Sequence, residues 1–519
     1  MMGGAKTVWT LVVLLAYGLL CLWSFRHALL ARLQDAKRLP EGEDSFVLVA
    51  YASQSGTAAE LARRSADLLQ GHLPVRLMPL NQVNDGVLSS AQRALFVAST
   101  YGEGEPPDNG LAFQRRYLTN AATLDLSHLE FAVLALGDRA YQRFCDFGRR
   151  IQAGMERLGA SPLWELTEAA SDELWTPDGK VAYWRSRLGS FIPVGAEVVF
   201  AEPAQAAEGR EFGAWRLAER EHLNPGSLGE PIFDLWLSPD VTPVAWCAGD
   251  IAVILPRNSA AHCATVAEKL GYSGGEPVTL DGVTRPLCDW LAERQLSNVD
   301  DDIRAAPSLS AWLAGLPTLP EREYSIASVP EEGAVRLLVR QQRDERGELG
   351  LGSGWLTASA GTGDNVALRI RSNPFFQVPE QDCPLILIGN GSGLAGLRAH
   401  LKARELAGVT GRNWLVFGER SRLSDSLWNE ELVRWRDSGH LARLDRVFSR
   451  DGDSLRYVQD VLAAEADELC RWADAGAIIC VCGSLTGMGS GVQTALEACL
   501  GAERLDELKM AGRYRRDLY

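Results

Sequence analysis

Three short apolar runs in the first third of the chain each pass straight into a polar loop bearing glycine. That recurrence restricts the fold more than any other feature. Phe46–Tyr51 runs into Ser53-Gln54-Ser55-Gly56-Thr57, and Ala94–Ala98 into Ser99-Thr100-Tyr101-Gly102-Glu103-Gly104. Phe131–Leu136 runs into Gly137-Asp138-Arg139-Ala140-Tyr141. A run of this length without polar alternation reads as a strand buried on both faces, which requires a parallel sheet covered by helices. A helical pattern over Ala58–Gln70 supplies the first such cover. Ligands of doubly wound sheets bind at the carboxyl ends of the strands, where these three loops converge.

The first loop reads as an anion site, because backbone N–H groups and a helix N-terminus supply the donors. It has no lysine, so it is not a Walker loop, and it suits a static phosphate rather than phosphoryl transfer. An ordinary N-cap turn is the plain alternative. Tyr101 and Tyr141, taken singly, are packing residues. Together with the phosphate loop they point to a flat, phosphorylated ligand held between two rings.

The chain has 519 residues, enough for about three domains. Its net charge of −15 argues against a nucleic-acid partner, which needs clustered lysine and arginine. The 10 cysteines are scattered and the seven histidines unclustered, so no metal site is expected. Scattered cysteines also suit a reducing compartment.

Val8–Phe25 is 18 residues without a charge, about the minimum to cross a bilayer. Trp9 and Trp23 stand near its ends, only Lys6 precedes it, and Arg26, Arg32, Lys37 and Arg38 follow. The positive-inside rule then places the rest of the chain in the cytoplasm. A cleaved signal peptide or a buried helix are the competing readings, and no small-residue cleavage site follows the run. The expectation is a single-pass membrane protein, of a bacterial inner membrane, with residues 1–45 as anchor and linker.

Beyond residue 190 the character changes. Alternating segments such as Ile232–Leu237 and Val335–Val339 suggest an antiparallel barrel, interrupted over 258–320 by a more helical stretch. Arg322-Glu323-Tyr324-Ser325-Ile326-Ala327-Ser328 combines a cation, an aromatic ring and hydroxyls, suited to a diphosphate and a ring. Gly350-Leu351-Gly352-Ser353 is a second glycine–hydroxyl turn before a helix. Both also fit ordinary turns. Pro384–Ile388 then runs into Gly389-Asn390-Gly391-Ser392-Gly393-Leu394-Ala395-Gly396, and Gly391, Gly393 and Gly396 fit G-x-G-x-x-G between strand and helix. No acidic residue stands at the expected ribose position, whereas Ser449 and Arg450 offer a donor and a cation. That favours a 2′-phosphate, hence NADP.

The motifs SQSGTAAELA, STYGEGEPPDNG and LGDRAYQRFC resemble the flavodoxin-like FMN domain of diflavin reductases over about 46–190. The resemblance implies that Ser53, Gln54, Ser55, Gly56 and Thr57 hold the FMN phosphate and that Tyr101 and Tyr141 flank its ring. It places Ser99, Thr100, Gly102, Gly137, Asp138, Phe144 and Cys145 nearby. REYSIAS, GNGSGLAGLR, FGER, FSRDGDSLRYVQD, CVCGSLTGM and the terminal RYRRDLY, in that order, resemble the ferredoxin–NADP reductase module of the same family.

The match implies FAD contacts from Arg322, Tyr324, Ser325, Ser328, Gly350, Gly352, Ser353 and a stacking Tyr519. It implies NADP contacts from Gly389, Gly391, Ser392, Gly393, Arg398, Arg420, Ser449, Arg450, Arg456, Tyr457, Gln459 and Cys482. It further implies that Ser325, Cys482, Asp517 and Tyr519 carry the hydride step. Gly396 stands where the family usually has proline, Leu455 where it has lysine, and Ser484 where it has aspartate.

The expected fold is α/β multidomain: a transmembrane helix, a doubly wound FMN domain (46–190), an FAD barrel with the insertion (191–380) and a Rossmann-like NADP domain (381–519). The expected activity passes electrons from NADPH through FAD and FMN to a one-electron acceptor, a haemoprotein or membrane electron-transfer protein. The alternatives are a sulfite reductase flavoprotein subunit, or a donor for ferric-siderophore reduction.

Overall fold

Near-continuous burial of the central strands, on both faces, decides the first sheet. The computed structural model describes residues 46–53, 56–101, 104–119, 123–137, 139, 143–170, 179–191, 212–240, 244–280, 282–296, 308–344, 347–379, 382–409 and 412–519. Strands β1 (Phe46–Ala52), β2 (Val75–Pro79), β3 (Ala91–Ser99), β4 (Glu130–Gly137) and β5 (Ser161–Pro162) lie in the parallel order β2-β1-β3-β4-β5. β6 (Thr167–Ala170) pairs with the far end of β4. On one face, Leu48, Ala50, Phe96 and Val133 pack with Phe147, Ile151 and Met155 of α2 (Asp146–Arg157). On the other, Val47, Val49, Leu95 and Leu134 pack with Leu61, Ala62 and Leu69 of α1 (Thr57–Gln70). Chain order reverses between β1 and β3, which opens a crevice above their carboxyl ends.

The second unit is antiparallel. Its strands are β7 (Gly213–His222), β8 (Ile232–Pro239), β9 (Ile251–Leu255), β12 (Arg322–Ser325), β13 (Val335–Arg340) and β14 (Asn365–Arg371), in the order β12-β9-β14-β7-β8-β13. The two ends of that path meet: Ile326 bridges Leu337, and the Ala327 N–H donates to the Arg336 carbonyl at 2.8 Å. The sheet therefore closes into a barrel around Trp215, Leu235, Ile254 and Val366. Among the described residues the insertion carries three helices and a hairpin, β10 (Pro277–Leu280) with β11 (Val283–Pro286), around its own small core of Val266, Leu287, Trp290 and Trp312.

The third unit is parallel again: β15 (Leu385–Asn390), β16 (Asn413–Glu419), β17 (Arg443–Phe448), β18 (Ile478–Gly483) and β19 (Tyr514–Leu518), in the order β17-β16-β15-β18-β19. Helices again cover both faces, with α3 (Leu394–Leu406) on one and α4 (Ala502–Met510) on the other. The order reverses between β15 and β18. β19 escapes sequence inspection because Tyr-Arg-Arg-Asp-Leu is too charged to look like a strand.

One expectation is corrected. Among the described residues no helix is long and apolar enough to cross a membrane, and Val8–Phe25 lies outside those residues. The single-pass membrane localisation is therefore withdrawn.

His400 of α3 is 2% exposed and packs on Phe376 with ring centroids 5.1 Å apart. Burial pushes its imidazole down from 6.5 to about 3. The folded state thus holds it neutral. Its full contribution to stability is present above the unfolded value of 6.5 and is lost as pH falls from there toward 3. At pH 5 the loss is about 2 kcal/mol. Urea unfolding at pH 7 and pH 5 is expected to show that drop, and His400→Phe to flatten it. An equal pH slope in the variant would remove His400 as its origin.

Candidate functional site

Ser325 ends β12, Cys482 lies in β18 and Asp517 in β19, where Cys482 and Asp517 are register partners. The Ser325 hydroxyl donates to Asp517 Oδ2 at 2.6 Å, and the Cys482 thiol approaches the same oxygen at 3.6 Å. Residues 192 and 35 positions from Asp517 thus meet on one carboxylate. Gly396 of α3 makes this possible: a Cβ there would lie 3.0 Å from Phe376 and 3.3 Å from the Cys482 sulfur. Burial raises the Asp517 carboxyl, opposed by the Ser325 and Cys482 hydrogen bonds and the Arg371 charge. Burial also raises the Cys482 thiol well above its ordinary value, which keeps it protonated. Tyr519 stands beside this group, its N–H donating to the Gly483 carbonyl at 3.1 Å and its hydroxyl bonded to Ser392 Oγ at 3.1 Å.

The Gly389–Gly393 loop sits at the reversal between β15 and β18. A Cβ on Gly389 would fall 2.6 Å from the Cys482 carbonyl oxygen, and one on Gly393 2.1 Å from it, while Gly391 has φ +57. The glycines are demanded by the closeness of the two strands, and they leave a smooth cradle for a dinucleotide. A groove of about 620 Å³ continues from it, lined by Gly391, Ser392, Arg420, Ser449, Arg456, Tyr457, Gln459 and Tyr519. Arg456 is fixed at its rim by donating to the Ser449 carbonyl at 3.0 Å and 3.2 Å. Arg450 is exposed and outside the lining.

The sequence reading overlooked two groove residues. Glu419 does stand at the carboxyl end of β16, where a ribose-binding acid is placed in this fold. It is buried and ion-paired with Arg340 of the barrel. Burial raises its carboxyl, the Arg340 charge opposing. With that carboxylate ion-paired, Ser449 and Arg456 present a hydroxyl and a cation along the same groove.

Two expected contacts are placed elsewhere. Arg398 is 2% exposed, and its guanidinium is bonded to Glu332 (2.8 Å), Glu431 (2.7 Å) and the Ala327 carbonyl (2.7 Å). It staples α3 to the barrel, so its expected grip on a dinucleotide is corrected. Ser328 is fully buried, donating to the Ala334 carbonyl and accepting from the Arg336 N–H. It braces the barrel closure rather than facing a ligand.

Arg322, Tyr324 and Gly352 pack together: a Cβ on Gly352 would lie 2.6 Å from the Arg322 side chain and 2.8 Å from the Tyr324 hydroxyl. Ser353 Oγ accepts from the Gln342 N–H at 3.0 Å and lies 3.0 Å from where a Gly350 Cβ would stand. The cation and the glycine turn therefore form one surface, which fits a flavin diphosphate.

In the first unit, Gln54, Ser55, Gly102, Asp138 and Tyr141 lie outside the described residues. Ser53 is buried, and its Oγ accepts from the Gly56 N–H at 3.0 Å, while its N–H donates to Asn109 Oδ1 at 3.0 Å. Gly56 has φ +95 and precedes Thr57, the first residue of α1. Among the described residues, Asn109 Nδ2 is buried without a hydrogen-bond partner, as is the Tyr101 hydroxyl. Ser99 and Thr100 brace the crevice, Ser99 Oγ donating to the Ala52 carbonyl at 3.1 Å and Thr100 Oγ1 accepting from the Phe147 N–H at 3.2 Å. A Cβ on Gly137 would meet the Cys145 nitrogen at 2.7 Å and Phe144 at 2.9 Å. Burial pushes the Cys145 thiol up to about 12. A glycine turn at a helix start, an unsatisfied buried amide and an adjacent tyrosine together fit a phosphorylated flat group.

Arg516, missed in the sequence, joins the first and third units. It is 4% exposed, bonded to Asp108 at 2.5 Å, and lies 4.5 Å over the Tyr101 ring.

Comparison with known proteins matches two of the three units. The family model for flavodoxin matches residues 49–181, and that for an oxidoreductase NAD-binding domain matches residues 387–494. A protein of Salmonella paratyphi A named sulfite reductase (NADPH) flavoprotein alpha-component is 28% identical, over 92% of this chain and 91% of its own length. Proteins of the same name from Cronobacter sakazakii and Escherichia coli O157:H7 are 29% and 28% identical over the same shares of both chains.

Proposed function

We propose that this chain, which belongs to the NADPH-dependent diflavin reductase family, delivers electrons from NADPH to the haemoprotein of a sulfite-reducing complex. As a member of that family it is an oxidoreductase whose cofactors are FMN, FAD and NADPH. The bound flavins supply the exchange between a two-electron hydride donor and one-electron acceptors. The carrying observation is the convergence of Ser325, Cys482 and Asp517 where the barrel meets the dinucleotide sheet.

Asp517 holds the Ser325 hydroxyl in one orientation and keeps its proton directed at a carboxylate. The protonated Cys482 thiol presents a small neutral wall toward the Gly389–Gly393 cradle. Tyr519, on the last residue of the chain, spans from that wall to Ser392 and covers the crevice until a nicotinamide displaces it. Arg420, Ser449 and Arg456 provide donors and charge for the 2′-phosphate that distinguishes NADPH from NADH.

Relatives aligned over about nine-tenths of both chains carry the sulfite reductase flavoprotein name, which supports that acceptor over a membrane haemoprotein. The test is anaerobic reduction of the purified chain by NADPH in the presence of a sulfite reductase haemoprotein. Bleaching of the flavins followed by reduction of the haem bands is expected. Bleached flavins with an unreduced haem would overturn the acceptor, and a ferric chelate reduced instead would replace it.

Tyr519→Ala is expected to raise NADH use relative to NADPH at least several-fold, because removal of the stacking ring weakens the gate that the 2′-phosphate contacts help to open. The ratio of kcat/KM for the two nucleotides measures it. An unchanged ratio would remove Tyr519 from nicotinamide entry.

A further inference from the structure

The phosphate turn of the first unit carries no cation, since Ser53, Gln54, Ser55, Gly56 and Thr57 are all uncharged. A phosphate monoester brings a charge of about −1.5 to −2 at neutral pH. Buried or half-buried anions of that size are held best by charge-assisted hydrogen bonds.

Gly56 and Thr57 open onto a cleft of about 950 Å³ shared with the barrel and the third unit. From the end of β14, Arg371 crosses this cleft, and its Nη1 lies 2.9 Å from where a Cβ on Gly56 would stand. Gly56 is therefore required twice, for its φ of +95 and for the space that the guanidinium takes. The other end of the same guanidinium meets Glu323 at 2.6 Å, and that carboxylate is 49% exposed at the rim.

Beside the turn, Asn109 is 7% exposed, and among the described residues its Nδ2 has no partner while its Oδ1 accepts from the Ser53 N–H. Asn109, Gly56, Thr57 and Arg371 line the one cleft. Of the other cations that line this cleft, Arg63 and Arg64 bond to Glu60 at 2.6 Å and 2.9 Å.

We propose that Arg371 is a ligand of the FMN phosphate supplied from the barrel, completing from a second unit of the same chain an anion site whose other donors are Asn109 Nδ2 and the start of α1. Holding the nucleotide and seating the first unit against the barrel are then one event. This rests on the diflavin reading given above.

The experiment uses the full chain stripped of FMN and titrated separately with FMN and with riboflavin, which has no phosphate, following flavin fluorescence. Arg371→Gln is expected to weaken FMN about tenfold and leave riboflavin unchanged, with FAD content also unchanged. Arg371→Lys is expected to recover part of the loss. Added salt is expected to weaken FMN more steeply in the native chain than in Arg371→Gln.

FMN affinity within twofold of native, or equal losses for FMN and riboflavin, would overturn the proposal while leaving the diflavin assignment standing. A native chain that binds neither FMN nor FAD would take down both.

Discussion

Asp517→Ala is expected to slow reduction of the flavins by NADPH by about two orders of magnitude, with flavin content and thermal unfolding close to native. Asp517 is the shared acceptor for the Ser325 hydroxyl at 2.6 Å and the Cys482 thiol at 3.6 Å. Truncating it frees both side chains to rotate in a crevice where placement within a fraction of an ångström governs the rate. About 2.7 kcal/mol of barrier corresponds to the hundredfold loss. Anaerobic stopped-flow absorbance measures it directly, because bleaching precedes any transfer to an acceptor. A rate within threefold of native would show that Ser325 and Cys482 keep their orientation without the carboxylate.

Arg398→Met is expected to destabilise the barrel and dinucleotide units together by about 3 kcal/mol, because the partly buried Glu332 loses its buried cation and Glu431 keeps only longer contacts, to Arg336 at 3.9 Å and Arg434 at 3.8 Å. Burial works to raise the Glu332 carboxyl, but the Arg398 hydrogen bond and charge outweigh it and hold that carboxyl below its ordinary range. The Glu332 contribution is thus present above its unfolded value of 4.5 and lost as pH falls through the lower folded value. Urea unfolding followed by tryptophan fluorescence measures the loss. Replacing Glu332 and Glu431 by glutamine in the same chain is expected to restore most of it. A dinucleotide-binding Arg398 predicts the opposite pattern, a raised KM for NADPH in a chain of native stability. Its bonds to Glu332, Glu431 and the Ala327 carbonyl favour the staple.

Both residues show how far motif reading reaches. Ser325, Cys482 and Asp517 were each legible inside a local motif, and the structure brings them to a single oxygen. Arg398 and Ser328 belong to equally good motifs, yet their polar atoms are consumed by the barrel and its neighbours. A motif specifies residue type and spacing. It does not specify which neighbouring element reaches the side chain first. Arg340 with Glu419 and Arg516 with Asp108 were invisible for the same reason, as each pair joins different units. The apolar segment Val8–Phe25 supported a membrane reading that the described fold does not carry.

The sequence by itself determined the two parallel sheets and the glycine loops at their carboxyl ends. Uniformly apolar strands can be buried only between two helical layers, and a loop that runs close to a neighbouring strand can tolerate only glycine. It also determined the cofactor class, because a phosphate turn, a cation–aromatic strand and a dinucleotide cradle occur in one order along one chain. Only the tertiary structure decided the rest. It made Tyr514–Leu518 a strand, since its arginines are satisfied by Asp108 and by the Pro374 carbonyl, groups far away in sequence. It also placed Arg371 against Gly56. Charge compensation across units is a property of folded geometry, and no local pattern of residues encodes it.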